Sequence, residues 1–228
     1  MTLSIVARCA DTGMLGIAAM TGTPGVGKLL AWAEADVGAV ATQGWVNPYL
    51  GVDGLALLRT GHRADRTLRA ITLLDDDREL RQVGVVDRHG GTADHTGAKC
   101  SPTAGHRTGD GYTVQGNLLE SERSLDAAET GLADSAGHPL VERLIIALEA
   151  AAEVGGDRRG HRSASAFVVD TEQYPLWDVR VDDHPDPLPE LRRLVDAFER
   201  TLLPQIRKLP TRQDPHGELE TGTQDGLL

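Results

Sequence analysis

Thr2 is the residue with the most specific chemical potential in this sequence. It is small, and an initiator methionine before so small a residue is usually removed by aminopeptidases. Removal would leave a threonine whose hydroxyl lies beside a free α-amine, which is a nucleophile and a base on one residue. An α-amine has an ordinary pKa of about 7.7–8.0, so near neutral pH much of it can accept the hydroxyl proton. The pair predicts an N-terminal nucleophile, although most threonines at this position have no catalytic role.

A glycine-rich segment, from Gly22 to Lys28 (GTPGVGK), is similar to the phosphate-binding pattern G-x-x-x-x-G-K-[ST]. The match fails at the next residue, because Leu29 cannot supply a hydroxyl to Mg²⁺. The strand before it is predicted to arrive through a hairpin, whereas such loops follow strands of parallel βαβ units. We interpret the segment as a turn, and nucleotide binding through it is the second hypothesis.

Two clusters contain residue types that bind metals. Residues 75–77 are three aspartates, which we interpret as a solvated face, and residues 182–184 (DDH) follow a predicted strand. Adjacent strand residues point to opposite faces of a sheet, so the three side chains of the second cluster cannot easily coordinate the same metal ion. We expect a turn held by carboxylates there, with Asp183 reaching the substrate site, and no metal or other cofactor. The two cysteines, Cys9 and Cys100, lack the C-x-x-C spacing of a zinc or redox motif.

Composition excludes several classes of partner. The chain has 228 residues, of which 40% are hydrophobic, so it can bury the core of one domain. Its 23 basic and 34 acidic residues give a net charge of −11, which argues against nucleic acid or an anionic membrane surface as the main partner. No apolar run is long enough to span a membrane, and no secretion signal is recognisable, so we expect a cytoplasmic protein.

The hydrophobic pattern predicts alternating groups of strands and helices. Residues 1–8 alternate with period 2, which places Thr2, Ser4 and Val6 on one face of a strand. Further strands are predicted at residues 14–20, 37–44, 81–87, 92–96, 112–117, 163–170 and 176–181. Helices are predicted at residues 30–35, 54–59 (capped by Asp53), 64–74, 124–130, 139–154 and 188–206, with a loop at residues 100–110.

This order of elements favours an α+β fold of two mainly antiparallel sheets stacked face to face. Residues 1–209 are expected to form one domain, and residues 210–228 a polar, mobile C-terminal tail.

Five sequence blocks together resemble a bacterial family, the domain of unknown function 1028. They are residues 2–8 (TLSIVAR), 38–43 (GAVATQ), 114–117 (VQGN), 155–160 (GGDRRG) and 180–187 (RVDDHPDP). The resemblance extends over residues 2–202. The family is grouped by fold with the N-terminal nucleophile hydrolases, which implies a four-layer αββα sandwich whose first strand carries the nucleophile.

The resemblance also implies roles for four catalytic residues. Thr2 would be the nucleophile and its freed α-amine the base. Asn117, at a strand end, would donate to the tetrahedral oxyanion, a contact typically worth about 2.7–4 kcal/mol. Asp157 and Arg159 would orient the amine and bind a polar group of the substrate. Two alternatives stay open, since Asn117 can simply complete a turn and Asp157 with Arg159 can form a structural ion pair.

The resemblance further implies that the substrate pocket includes Thr42, Gln43, Asn47 and Gly116, in addition to Asp183. The expected reaction is hydrolysis of a C–N bond in a small linear or cyclic amide, through an acyl-enzyme on Thr2. A small substrate is favoured because only 4% of the residues are aromatic and no separate recognition module is apparent. A non-catalytic ligand-binding domain of the same fold is the third hypothesis. Edge strands and the last predicted helix suggest a homodimer.

Overall fold

The computed structural model describes residues 2–218, which contain ten strands. In chain order they are β1 (Thr2–Arg8), β2 (Leu15–Thr21), β3 (Ala31–Glu34), β4 (Gly38–Gly44), β5 (Arg81–Asp87), β6 (Thr92–Thr96), β7 (Gly105–Gly109), β8 (Tyr112–Asn117), β9 (Ser163–Val169) and β10 (Trp177–Val181). Sheet A has the order β10-β9-β2-β1-β8-β7, and sheet B has the order β3-β4-β5-β6. Neighbouring strands in both sheets are antiparallel.

Six α-helices lie in the same described part of the chain. They are α1 (Pro48–Arg59), α2 (Ala64–Leu73), α3 (Arg123–Asp134), α4 (Leu140–Glu153), α5 (Pro187–Thr201) and α6 (Leu203–Ile206). Helices α3, α4 and α5 pack on sheet A, and α1 and α2 pack on sheet B. The inner faces of the two sheets contact each other, mainly through β1, β2 and β8 on one side and β4 and β5 on the other. The expected α+β fold with αββα layers is confirmed.

Strand β1 lies in the middle of sheet A and is buried on both faces. Leu3 and Ile5 belong to the apolar core beneath the helices of sheet A. Val6 belongs to a second apolar cluster that includes Ala39 and Ala41 of β4, so it faces sheet B. The side chains of β1 therefore alternate between the two faces of sheet A as the sequence predicts. Thr2 and Ser4 lie on the same face as Val6, between the two sheets.

Two segments that were predicted otherwise are edge strands. Residues 30–35, predicted as a helix, contain β3, which pairs with β4. Residues 100–110, predicted as a loop, contain β7, which pairs with β8. Alanine and leucine favour helices, and glycine favours loops, but pairing with the next strand along the chain decides the conformation of these short segments.

Two helix boundaries also differ from the prediction. Helix α1 begins at Pro48, not at residue 54, because Asn47 caps it: Asn47 Oδ1 accepts a hydrogen bond from Tyr49 N at 3.1 Å. Proline at the first helical position needs no hydrogen-bond donor. The helix predicted at residues 188–206 is divided into α5 and α6, and Pro204 lies in the first turn of the second piece, where its missing N–H breaks the helical ladder.

The predicted tail is described only as far as Glu218, and residues 219–228 lie outside the described residues. Tyr174 Oη donates to Pro210 O at 3.2 Å, and Glu218 N donates to Lys208 O at 3.0 Å. None of the helices within residues 2–218 combines the length and the apolar character needed to cross a bilayer.

Candidate active site

The site is organised around Thr2, which begins the central strand of sheet A. In the antiparallel register Thr2 lies opposite Thr21 of β2 on one side and opposite Asn117 of β8 on the other. Directly opposed residues project from the same face of a sheet. Thr2 Oγ1 donates a long hydrogen bond of 3.4 Å to Thr21 Oγ1. The sheet thus fixes three polar side chains side by side at one end of the sandwich.

Thr2 borders a cavity of about 360 Å³ at this end of the sandwich. Its wall consists of hydroxyl, amide and aliphatic groups with one lysine: Thr2, Thr21, Thr23, Pro24, Gly25, Val26, Lys28, Leu29, Leu30, Thr42, Gln43, Gly44 and Val46. The volume is at the lower end of the range of about 300–1,000 Å³ typical of small-molecule sites. Three predicted site residues, Thr2, Thr42 and Gln43, therefore meet in one cavity.

The glycine-rich segment forms one wall of this cavity, and its backbone is bound to the protein. Gly22 N donates to the Asp157 carboxylate, Gly25 N to Asp182 O, and Val26 N to Ser163 Oγ. Gly25 has φ of 75°, a left-handed conformation that glycine adopts without strain. A working phosphate loop presents these N–H groups to the ligand at a helix N-terminus. Here they are engaged, and the segment leads into β3, so the nucleotide-binding hypothesis loses its structural basis.

Gln43 extends from β4 beneath Thr2 and joins the two sheets. Its Nε2 lies 3.2 Å from Thr2 O, 3.1 Å from Gln115 O and 2.7 Å from Gln82 Oε1. Its Oε1 accepts from Ser4 Oγ at 2.8 Å. All of these side chains except Thr2 are buried. A buried polar group needs its hydrogen-bond partners, so this network fixes the backbone at the start of β1.

Gln82 on β5 is the centre of the network, and sequence reasoning did not identify it. Its Oε1 accepts from both Gln43 and Asn117, while the two protons of its Nε2 face three acceptors, Gly116 O, Gly105 O and Thr96 Oγ1, at 2.9–3.0 Å. A signal existed in the sequence, because this glutamine directly precedes the apolar run of a strand that is buried throughout. Such a residue predicts a buried polar contact, but not its partners.

Asn117 and Gly116 form the far side of the same network. Asn117 is buried, and its Nδ2 donates to Gln82 Oε1 at 3.1 Å. Gly116 packs against Leu119, whose side chain would lie 2.9 Å from an added Cβ. Neither residue lines the cavity, although Asn117 is the direct neighbour of Thr2 in the sheet.

Asp157 is buried behind the glycine-rich wall and organises the loop after α4. Its Oδ2 accepts from Gly22 N at 2.6 Å, and its Oδ1 accepts from Arg159 N at 2.9 Å. The half-exposed Arg159 guanidinium also pairs with this carboxylate at 3.2 Å. Asp157 N donates to His161 Nε2 at 3.1 Å, which requires an unprotonated ring nitrogen. Burial lowers the pKa of His161, against the opposing effect of Asp157 and Glu120, so the ring keeps this acceptor into mildly acidic conditions.

Two predicted substrate-binding residues have other contacts. Asn47 caps α1, and its Nδ2 donates to Asp75 Oδ2 at 3.1 Å, while its backbone oxygen accepts from Thr42 Oγ1 at 3.2 Å. It thus supports the cavity through Thr42 without lining it. Asp183 pairs with Arg162 at the surface, and the hydrogen bond from Arg162 lowers the pKa of that carboxyl. Asp183 is not among the residues around the cavity.

Residues 2–218 contain no group of three or more His, Cys, Asp or Glu side chains arranged to hold a metal ion. The polar side chains described at the Thr2 cavity are instead four threonine hydroxyls, one carboxamide and one ammonium group. Such groups can supply a nucleophile, hydrogen-bond donors for an oxygen atom, and a positive charge.

The fold and the site define an α+β sandwich protein whose central strand begins beside a small cavity lined by polar and aliphatic groups. The chain belongs to the family of unknown function DUF1028, whose model matches residues 2–191.

Two solved structures are similar to this chain. Protein SPO2555 from Silicibacter pomeroyi, of the same family, has 28% sequence identity and a TM-score of 0.90, over 99% of this chain and 98% of its own. The ancestral beta-subunit Anbu from Yersinia bercovieri has 11% identity and a TM-score of 0.42, over 87% of this chain and 97% of its own. Comparison with the curated proteins finds no match.

Proposed function

We propose that this protein is an N-terminal nucleophile amidohydrolase that cleaves a C–N bond of a small amide through an acyl-enzyme on Thr2. The observation that supports it most is the position of Thr2, which begins the central strand and borders a small cavity lined by both polar and aliphatic groups. The proposal requires a mature chain that begins at Thr2, so that the hydroxyl and a free α-amine belong to one residue.

The position of Asp157 supports a role in orienting that amine. Because β1 and β2 are antiparallel and Thr2 opposes Thr21, Gly22 lies beyond the start of β1, on the side from which Thr2 N emerges. Asp157 accepts from Gly22 N at 2.6 Å, which brings a buried carboxylate to this side. A carboxylate there would fix the amine and favour its role as the proton acceptor.

The proposed reaction has two steps. In the first, Thr2 Oγ attacks the amide carbonyl carbon while the α-amine takes the hydroxyl proton. The C–N bond then breaks, the leaving amine takes that proton, and the acyl group stays on Thr2 as an ester. In the second, a water molecule loses a proton to the α-amine and attacks the ester. The ester C–O bond then breaks, the amine returns the proton to Thr2 Oγ, and the carboxylic acid is released.

Asn117 is assigned to the oxyanion in this mechanism. Its Nδ2 carries two protons, of which one is directed at Gln82 Oε1, and we assign the second to the developing negative charge. Gln82 acts as a positioning residue because it fixes the orientation of this amide. The catalytic set is therefore Thr2 as nucleophile and base, Asn117 as donor, and Asp157 with Arg159 next to the amine.

The test combines mass spectrometry with an amidase assay. The intact mass of the purified protein reports whether the chain begins at Thr2, and a panel of linear and cyclic amides is screened for amine release. Thr2→Ala and Thr2→Ser both keep a small residue after the initiator methionine, so the three chains share the same processing. We expect turnover for Thr2 and for Thr2→Ser, and none for Thr2→Ala.

A fourth protein separates the amine from the hydroxyl. An extension before Thr2 that is not removed keeps the Thr2 hydroxyl and converts its α-amine into an amide, so turnover should also be lost. Amide hydrolysis that persists in Thr2→Ala contradicts the proposal. Binding of an amide without turnover by the wild-type chain supports the non-catalytic hypothesis instead.

A further inference from the structure

The Thr2 cavity has a single charged side chain among the described residues that line it, and this is Lys28. Seven of the other residues contribute hydroxyl or carboxamide groups or glycine backbone, and five contribute aliphatic surface: Pro24, Val26, Leu29, Leu30 and Val46. The remainder of the protein is strongly acidic, with a net charge of −11. A lone cation at this cavity therefore gives it an electrostatic character opposite to that of the whole chain.

The backbone of Lys28 is held in place by contacts on both sides of the turn. Lys28 N donates to Gly25 O at 3.2 Å, and Ser163 Oγ donates to Thr23 O at 2.6 Å. Gly27 packs so closely on Ser165 that an added Cβ would lie 2.7 Å from the serine Cβ. The turn presents the lysine at a fixed point of the wall, as a binding site requires.

Lys28 is exposed and forms no ion pair within 4.0 Å with a carboxylate of residues 2–218. It also borders a second cavity, of about 270 Å³, on the other side of the turn. There Arg180 is already paired with Asp178, Nε to Oδ1 at 2.7 Å. A ligand in either cavity would meet the uncommitted charge of Lys28, so an experiment must separate the two.

We propose that Lys28 determines substrate specificity by binding a carboxylate of the substrate in the Thr2 cavity. The inference rests on the proposed function and narrows its substrate class to small amides that carry a carboxylate and a short aliphatic group. The carboxylate pairs with the Lys28 ammonium group, the aliphatic part contacts the apolar wall, and the scissile carbonyl lies at Thr2. The lysine of the apparent phosphate-binding pattern would then recognise an anion through its side chain alone.

The test measures binding separately from turnover. N-acetylglycine, N-acetylalanine and N-acetylvaline are each compared with their neutral carboxamides, by calorimetric titration of the Thr2→Ala protein. We expect the carboxylates to bind at least about tenfold more tightly, which corresponds to about 1.4 kcal/mol. The preference should decrease at high ionic strength, as expected for a partly exposed pair. Lys28→Met should remove it, and Lys28→Glu should reverse it.

Two control variants make the result specific. Lys99→Met removes the same charge from an exposed turn outside both cavities, and it should keep the preference. Arg180→Met alters the second cavity only, and it should also keep the preference. Thermal unfolding of each variant checks that the fold is intact.

The inference is overturned if carboxylates and carboxamides bind equally, if neither binds, or if Lys28→Met keeps the preference. It is also overturned if Arg180→Met removes the preference, because the anion would then occupy the second cavity. Turnover by the wild-type protein decides the proposed function separately. If the wild-type protein hydrolyses charged and neutral amides equally well, the proposed amidase function is supported and the proposed specificity of Lys28 is contradicted.

Discussion

The carboxamide of Gln82 holds the carboxamide of Asn117: Asn117 Nδ2 donates to Gln82 Oε1 at 3.1 Å, and both side chains are buried between the sheets. Gln82 is on β5 of sheet B and Asn117 on β8 of sheet A, so this bond crosses the sandwich directly beside Thr2. The orientation of the Gln82 amide is not free, because its Nε2 donates to two backbone carbonyls. The geometry around Thr2 and the packing of the two sheets therefore depend on the same amides.

Replacing Gln82 by Leu is expected to destabilise the protein and to lower activity. The substitution leaves Asn117 Nδ2 and the carbonyl of Gly116 without their partner, and each buried polar group left unsatisfied costs about 1–3 kcal/mol. Urea unfolding measures the loss. Gln205→Leu, an exposed change of the same size on α6, is the control and should change stability by less than about 0.5 kcal/mol.

Replacing Asn117 by Ala tests the oxyanion assignment. Loss of one preorganised donor is expected to lower kcat about 10²–10³-fold with little change in KM, because the contact forms fully only in the transition state. Steady-state kinetics on the best amide of the panel measures both constants. A kcat within about threefold of wild type would leave Asn117 as a structural residue only.

Replacing Asp157 by Ala is expected to loosen the glycine-rich wall. Gly22 N and Arg159 N lose a buried carboxylate, and hydrogen bonds to a charged group contribute about 1.5–3 kcal/mol each. Amide hydrogen exchange at Gly22, measured by NMR, should accelerate. Asp178→Ala removes a half-exposed carboxylate paired with Arg180 and should leave the exchange at Gly22 unchanged.

Replacing Gly84 by Ala is expected to force the sheets apart. An added Cβ would lie 2.4 Å from both Gln115 Oε1 and Thr113 Oγ1, inside the buried network. Overpacking of this kind costs about 1–3 kcal/mol, and the displaced amides would weaken the contacts below Thr2. Gly137→Ala has open space around the new methyl group and is the control. Equal melting temperatures for the two variants would contradict the expectation.

A pH dependence of stability is expected from the ion pair that joins the open edges of the sheets. His106 Nε2 on β7 lies 2.7 Å from Asp94 Oδ1 on β6, and the hydrogen bond to Asp94 raises the pKa of His106 above its ordinary 6.5. A raised pKa in the folded state means that the charged ring favours folding. This stabilisation is fully present below the unfolded pKa and is lost as the pH rises through the folded pKa.

The pH prediction is tested by unfolding the wild type and His106→Asn across about pH 5.5–8.5, the range in which histidine titrates. The wild type should be the more stable protein at the acidic end, and the difference should shrink as the pH rises. His138→Asn, at an exposed histidine of the turn after α3, should follow the wild type. A difference that stays constant with pH would assign the effect of His106 to packing.

Much of the fold was predictable because it follows from local pattern. The alternation of β1, the hairpin from β5 to β6 and the helical periodicity of α4 are each encoded within about a dozen residues, and the structure confirms them. Strands β3 and β7 were missed although each pairs with the next strand along the chain, because their compositions favour a helix and a loop. Each is short, lies at a sheet edge, and is extended because a neighbouring strand binds it.

The sequence by itself determined that Thr2 begins a strand and shares one face of it with Ser4 and Val6, because period-2 alternation depends only on the order of residues. Only the tertiary structure decided which side chains surround Thr2. Gln43, Gln82 and Asn117 are separated by more than 30 residues from one another, yet their amides share one hydrogen-bond network. Hydrogen-bond partners of buried amides are set by the register and stacking of two sheets, and no local pattern of residues encodes that arrangement.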